Sequence, residues 1–238
     1  MYLPDYLQFF IRELDKNKSK ISKVFFTIFL SLLIFSSVII LKNSIENEIK
    51  NNSRIFLGGD LELSTKNTPL RDEVLDDLKE KFFLTEVIEF TSIMRASNEE
   101  SKTTRIKVID DSYPLIGSVK VEPPNSFEIL QIKPNSILID KATKNNLNLK
   151  IGEKIKIQNI SLEIIGFIEN LPDIGGFFLF GDQALISKSS FKNLKVNNLG
   201  SFINFKYKMI SKTKKLELPP EITQDKQNIL KFPEDVSQ

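Results

Sequence analysis

Asp110-Asp111 is the pair of residues in this sequence best placed for acid/base or metal chemistry. Two adjacent carboxylates closing a strand could hold a cation or divide into an acid and a base. The same pair is more simply a turn-former, because a short carboxylate bonds back to the backbone of the turn it begins. Asp72, Glu73, Asp76 and Asp77 fall on one predicted helix and read as its solvated face. The chain has no His and no Cys. That removes Ser-His triads, Cys-His pairs, disulfides and the commonest zinc ligand. It has no G-x-x-x-x-G-K run, hence no phosphate loop for ATP. Ser and Lys are plentiful, but no Ser-Lys dyad stands out. The sequence reads as that of a non-enzyme, with no catalytic, cofactor-binding or metal residues and no cofactor called for. A net charge of +2 over 238 residues gives no electrostatic case for nucleic acid.

What dominates the chain instead is Val24 to Leu41, 18 residues without a charge between Lys23 and Lys42. As a helix it spans roughly 27 Å, close to the hydrocarbon thickness of a bilayer. The run is longer than a signal-peptide core, and no small-residue cleavage site follows it. It therefore predicts an uncleaved transmembrane helix over residues 22–42. Ser31, Ser36 and Ser37 are compatible with it, since a serine hydroxyl can bond back to its own helix. Arg12, Lys16, Lys18, Lys20 and Lys23 crowd the N-terminal flank, which predicts a cytoplasmic N-terminus and an extracytoplasmic remainder. Within the cytoplasmic segment 1–21, Tyr6, Phe9, Phe10 and Leu14 recur at helical spacing, as a short interfacial helix would.

Beyond the membrane, Leu41, Ile45, Ile49 and Phe56 continue one helical face, predicting a helical stalk over 43–58 that Gly58-Gly59 breaks. Asp60–Thr65 reads as a strand. Thr68 and Pro69 are placed to cap and open a helix whose apolar face is Leu70, Val74, Leu78 and Phe82. Two alternating strands follow, around 88–95 and 105–108, joined by a polar hairpin at 98–101. Residues 110–186 break the pattern. Pro114, Pro123, Pro124 and Pro134 punctuate the first part, and Ile137–Ile139 forms a short strand. Asp140 caps a short helix ending near Asn146, and Ile151 to Ile168 forms a small β unit with a tight turn at Gln158-Asn159. A loop from Leu171 to Gly176 precedes the apolar run Phe177–Phe180. Ser187 then caps a helix, and Ser201–Ile210 is a strand with Ile203, Phe205, Tyr207 and Met209 inward and Asn204, Lys206 and Lys208 outward. With 110–186 set aside the order is β-α-β-β-α-β, the split βαβ or ferredoxin-like order. The expected fold is α+β: one N-terminal transmembrane helix, then a ferredoxin-like subdomain interrupted by a small, mostly β inserted subdomain. The domain covers 59–212, and 213–238 reads as a polar tail.

Three groups of residues give this layout a resemblance to a known family. They are Ser53-Arg54-Ile55-Phe56-Leu57-Gly58-Gly59-Asp60, Ile106 to Leu115 with Asp110, Asp111, Tyr113 and Pro114 followed by Gly117, and Leu147 to Ile155 with Gly152, continued by Ile165-Gly166 and Pro172-Asp173. Together they resemble the N-terminal half of the MacB/FtsX-type ABC transporter permeases, most closely the lysophospholipase-associated branch. The resemblance covers nearly the whole chain and implies a MacB-like periplasmic core domain in a bacterial inner membrane. It also implies a separate cytoplasmic ATPase, a second permease copy, contact with membrane lipid, and export or extraction of a lipid-like compound. Such permeases carry three further transmembrane helices after the domain. No second apolar span occurs before Gln238, so those helices are expected from a further segment or a second polypeptide. The competing expectation is a free-standing, membrane-anchored binding or assembly module.

The charge asymmetry around Val24–Leu41 is directly testable. A reporter active only outside the cytoplasm, fused after Gln238, is expected to be active, and a cytoplasm-only reporter silent. The reverse result would invert the topology.

Overall fold

In the computed structural model of the protein, residues 9, 12, 16–173, 182–194, 202–213, 218–219, 222 and 228–237 are described. All but residues 9 and 12 of the interfacial helix read at Tyr6–Leu14 lie outside them, as do the apolar run Phe177–Phe180 and most of the tail. The chain forms two compact units, Met1–Glu48 and Ile49–Gln238.

The first unit holds most of α1 (Lys18–Asn51), a 34-residue helix that rises about 51 Å. Its residues 22–45 are exposed on every side. Among the described residues it is the one helix long and apolar enough to cross a membrane. Three hydroxyls within it bond back to the helix backbone, which suits a lipid environment. Ser31 Oγ donates to the Thr27 carbonyl and Ser37 Oγ to that of Leu33, each at 2.9 Å. Thr27 does the same to Lys23.

The helix ends earlier than its apolar stripe predicts. Asn52 leaves helical geometry (φ −106°, ψ 11°) and a second helix, α2 (Ser53–Leu57), begins beyond it. Asparagine competes with the helix backbone for hydrogen bonds, which explains why the break falls there. Gly58, at φ +80°, then caps α2: its N–H reaches the Arg54 and Ile55 carbonyls, and the Gly59 N–H reaches Arg54. That left-handed turn is one that only a residue without a Cβ enters freely.

The second unit is a mixed α+β domain on one sheet. Its elements are β1 (Leu61–Lys66), α3 (Asp72–Lys81), β2 (Phe82–Arg95), β3 (Ser101–Ile109), β4 (Lys120–Glu122) and α4 (Ser126–Ile132). They continue with β5 (Ser136–Asp140), α5 (Lys141–Asn146), β6 (Lys154–Ile157), β7 (Ile160–Asn170), β8 (Gln183–Ser187), α6 (Lys188–Phe191), β9 (Asn204–Ser211) and β10 (Ile229–Lys231). A 3-10 turn, Pro233–Ser237, packs against α2.

The strand order is β10-β1-β9-β2-β3-β8-β5-β7-β4, and β6 pairs with both β2 and β7. β1 and β2 are both antiparallel to β9 and hence parallel to each other, a split β-α-β crossing over α3. The strand between them is β9, the last of the four, whereas a ferredoxin-like unit places the third there. The ferredoxin-like neighbour order is therefore not the one found. Residues 110–186 enter between β3 and β9 in sequence and extend the same sheet: β8 lies parallel to β3, and β6 closes back onto β2 through Met94↔Ile157 and Arg95↔Lys156. The strands β2, β3, β8, β5, β7 and β6 thus pair in a closed ring. Inside lie Ile88, Phe90, Met94, Ile106, Val108, Ile137, Ile139, Ile155, Ile157, Leu162, Ile164 and Ile186, all buried in one apolar cluster. β-branched residues at every second position suit such a packed interior.

Local signals settle many element ends. Asp140 caps α5 by accepting the Thr143 N–H at 2.9 Å, and Ser187 caps α6 by accepting that of Ser190. α3 begins at Asp72 rather than at Pro69. Thr65 Oγ1 donates to the Thr68 carbonyl at 2.6 Å, and the Leu70 N–H donates to Tyr207 Oη at 2.9 Å, so both residues are held in the turn. β4 and α4 occupy the proline-rich stretch that the sequence shows only as extended or turning.

Candidate functional site at the root of the stalk

The two faces of the sheet differ. Leu61, Leu63, Phe205, Tyr207 and Met209 share the apolar face described above. On the opposite face, the same strands carry Glu62, Lys206, Lys208, Glu89 and Lys107. Alternation alone places these charges in solvent, and the expected outward direction of Lys208 and of its counterpart Lys107 is corrected by their burial. The Lys208 side chain is 3% exposed and that of Lys107 8%. The end of α2, the turn around Tyr113 and the loop Leu171–Asp173 cover this end of the second face, where Tyr113, Leu171, Val87 and Ile109 form a second apolar cluster.

One carboxylate organises the buried charges. Asp173, its side chain 1% exposed, accepts from Lys107 Nζ at 2.8 Å and from Tyr113 Oη at 2.5 Å on one oxygen. It accepts from Lys208 Nζ at 2.5 Å on the other. Lys208 Nζ also donates to the Leu57 carbonyl at 2.8 Å and lies 3.6 Å from Glu62. Leu57 is the last residue of α2, and a helix terminus leaves carbonyls in need of donors. A β9 lysine therefore ties off the stalk. Next along the sheet, Lys206 pairs with Glu89 at 2.8 Å, and the Lys107 ammonium sits 5.5 Å above the Tyr113 ring.

The electrostatics follow from burial and neighbours. Desolvation alone would raise the Asp173 carboxyl; Lys107 and Lys208 overcome it and hold the group far below the ordinary carboxylate range. Desolvation pushes Lys107 down from the usual lysine value, aided by Lys208 and opposed by Asp173 and Glu89. Of the two ammonium groups that share the carboxylate, Lys107 makes the longer contact, 2.8 Å against 2.5 Å, and Lys208 alone also reaches the Leu57 carbonyl. Burial, with Asp173 adding to it, raises the Tyr113 phenol well above its ordinary value, so that it stays a donor.

The family-motif residues divide into those that meet here and those that do not. A Cβ on Gly58 would stand 2.9 Å from Lys208 Cδ and 3.3 Å from Asp173 Cβ, so the glycine leaves room for the lysine. A Cβ on Gly59 would stand 2.6 Å from the Met209 carbonyl oxygen, where α2 enters the sheet. Asp60 continues the join: its carboxylate takes Arg54 at 2.7 and 2.5 Å and the Ser211 N–H at 3.2 Å. Gly117 lies against Pro172, with 2.5 Å between an added Cβ and Pro172 Cβ. Tyr113 and Asp173 complete the group, and Pro114 follows Tyr113 in the same turn. Asp110 is a turn-former: it accepts from Thr85 Oγ1 at 2.5 Å and from the Glu86 and Ser112 N–H groups at 2.8 and 3.1 Å. Asp111 is exposed beside it. Gly152 stands apart, in the turn before β6, its N–H on the Ile164 carbonyl. Among the described residues no group of acidic side chains is arranged to hold a metal ion. Lys107 and Lys208 are the site residues that sequence reasoning missed. The available signal was Gly58-Gly59 at the stalk end with Asp173 far along the chain, but nothing in the sequence pairs them.

The chain thus combines an apolar helix with an α+β domain in which buried ions hold the short helix α2 to the sheet. The family model for the MacB-like periplasmic core domain matches residues 24–217, and the chain belongs to that family. The uncharacterized ABC transporter permease YbbP of Escherichia coli (strain K12) is 22% identical over 169 residues, which cover 71% of this chain and 20% of that protein. Among solved structures, the periplasmic region of MacB from Actinobacillus actinomycetemcomitans is 12% identical with a TM-score of 0.49, covering 80% of this chain and 96% of that one. The extracellular domain of the noncanonic ABC-type transporter YknZ from Gram-positive bacteria is 12% identical with a TM-score of 0.45, covering 65% and 84%.

Asp173→Ala leaves two buried ammonium groups without their shared counter-ion and is expected to cost roughly 3–5 kcal/mol in denaturant unfolding. Lys107→Met, which leaves Asp173 with Lys208 and Tyr113, is expected to cost less than half as much. Folding lowers the Asp173 pKa, so the unfolded chain binds the proton more tightly. The stabilisation is complete above the unfolded carboxylate value of about 4 and drains away as the pH falls below it. Asp173→Ala should flatten that part of the stability–pH curve. Equal costs for the two variants, or an unchanged acid limb, would contradict this assignment.

Proposed function

We propose that this chain is a permease component of a MacB/FtsX-type ABC transport system, with its N-terminus cytoplasmic and residues 59–212 outside the bacterial plasma membrane. The domain includes the 110–186 insertion. In this reading a separate ATPase works on the cytoplasmic side. A second permease copy, or a C-terminal transmembrane half, completes the membrane part. ATP binding closes the ATPases, α1 shifts, and the domain moves with it. A lipid-like or hydrophobic cargo, and lipid contact around α1, rest on the resemblance to lysophospholipase-associated permeases.

The observation that carries the reading is the bond from Lys208 to the Leu57 carbonyl, with Asp173 behind it. A displacement of α2 relative to β9 would have to break a buried charge-assisted contact, so the two are fixed to each other. A rigid junction suits a domain driven through its stalk and is unnecessary for a domain that is merely tethered. Leu41 and Ile45 stay exposed on α1 and supply an apolar stripe for a neighbouring transmembrane helix, whereas Phe56 is half-buried.

Inserting Gly-Gly-Ser-Gly after Glu48 tests this. In liposomes holding the chain with its ATPase and the remaining helices, transport is expected to fall roughly 5–150-fold, the range of ordinary coupling free energies. ATP hydrolysis and the thermal unfolding of the domain should hold. Unchanged transport would rule the stalk out as the force-bearing element.

A further inference from the structure

The end of β2 remote from the stalk root carries a second arrangement of charge. Phe82 opens β2 opposite Ser211, beside the junction, and Arg95 lies thirteen residues further on, roughly 43 Å along the strand. There Arg95 and Lys156 are register partners on β2 and β6. Like charges set directly opposite each other on neighbouring strands repel and destabilise the pair. Toward the root on this face, three lysines are matched: Lys206 with Glu89, and Lys107 and Lys208 with Asp173. Among the described residues, Arg95 and Lys156 have no carboxylate within ion-pair distance. Glu99 and Glu100 sit in the adjoining hairpin, where Glu100 is engaged with Asn98.

The two cations line one concavity of about 390 Å³. With them the lining includes Thr91, Ser92, Ile93, Thr103 and Gln158, and no lining residue carries a negative charge. A guanidinium fork, an ammonium and neutral donors around one concavity form the donor set for an oxyanion. We propose that this concavity binds a phosphate group. Two cations match a charge near −2 better than a single carboxylate does, and a phosphate offers enough oxygens to meet donors from both strands. Bound there, it would relieve the Arg95–Lys156 repulsion. The group could belong to a free phosphate ester or to a lipid headgroup; the chemistry is shared. The site is separate from the ion network at the root and does not rest on the transport reading.

The test uses the full chain in nanodiscs of zwitterionic lipid. Inorganic phosphate is titrated at constant ionic strength by equilibrium dialysis, and thermal unfolding is followed in parallel by circular dichroism. Saturable binding to one site is expected. Arg95→Gln and Lys156→Gln should each weaken it about tenfold or more, the loss of one charge-assisted bond, and the double variant should abolish it. Without phosphate, the double variant should melt no lower than the unaltered chain, because a repulsion has been removed. Displacement of phosphate by soluble dihexanoyl phosphatidic acid at lower concentration would support the site and point to a lipid headgroup. Equal or weaker displacement would support it and point to a free ester. Absence of saturable binding of either probe would overturn the proposal, as would binding that survives in the double variant. A double variant melting well below the unaltered chain would overturn the claim of repulsion on which it stands.

Discussion

The Asp173 carboxylate is the constraint on which the rest of the domain depends. A single buried anion holds two ammonium groups and a phenol, and through Lys208 it reaches the last carbonyl of α2. Each of these groups would be costly to bury alone. Together they define one arrangement of β3, β9, the Tyr113 turn, the Leu171–Asp173 loop and the end of α2. Glycine at 58 follows from this, because any side chain there would press on Lys208. So does the close approach at Gly59, which brings the chain straight from the stalk into β1.

The same interaction explains how the two faces of the sheet are used. The closed ring of β2, β3, β8, β5, β7 and β6 buries a largely apolar interior and draws its cohesion from that burial and its strand pairing. The opposite face carries the charges, buried where α2 and the loops cover it and open near Arg95. Stability and connection to the membrane helix are thus served by different faces of the same strands. α2, tied at its end to β9 by Lys208, is held to the sheet.

The apolar helix, the alternating strands and the capping roles of Asp140 and Ser187 were legible in the sequence because each is a local signal, whereas the break at Asn52 within the expected 43–58 stalk was not. Val24–Leu41 declares itself by length, and β9 by its period of two. The strand order was not legible. β-α-β-β-α-β fits more than one neighbour order, and which strand fills the gap between β1 and β2 depends on contacts far apart in sequence. The closure of β6 onto β2 escaped for the same reason. Lys107 and Lys208 were misplaced because alternation distinguishes two faces of a strand without saying whether the second is covered. Asp173 was visible as part of a motif, yet its role needed the register that brings positions 107 and 208 to it. Asp110 shows the reverse: an adjacent carboxylate pair looked chemical, and the backbone N–H groups it accepts make it structural.

The central claim is that the end of the stalk and the sheet form one cooperative unit. Native-state hydrogen exchange on the full chain measures it directly, at the hydrogen-bonded amides of Gly58, Gly59 and Asp60 and those of β9. If the ion network joins them, the three junction amides match the protection of β9 because one shared opening releases both, and Lys208→Met lowers the protection of the junction and of β9 together. Junction amides that exchange by local fraying in the unaltered chain, far faster than β9, would contradict the account.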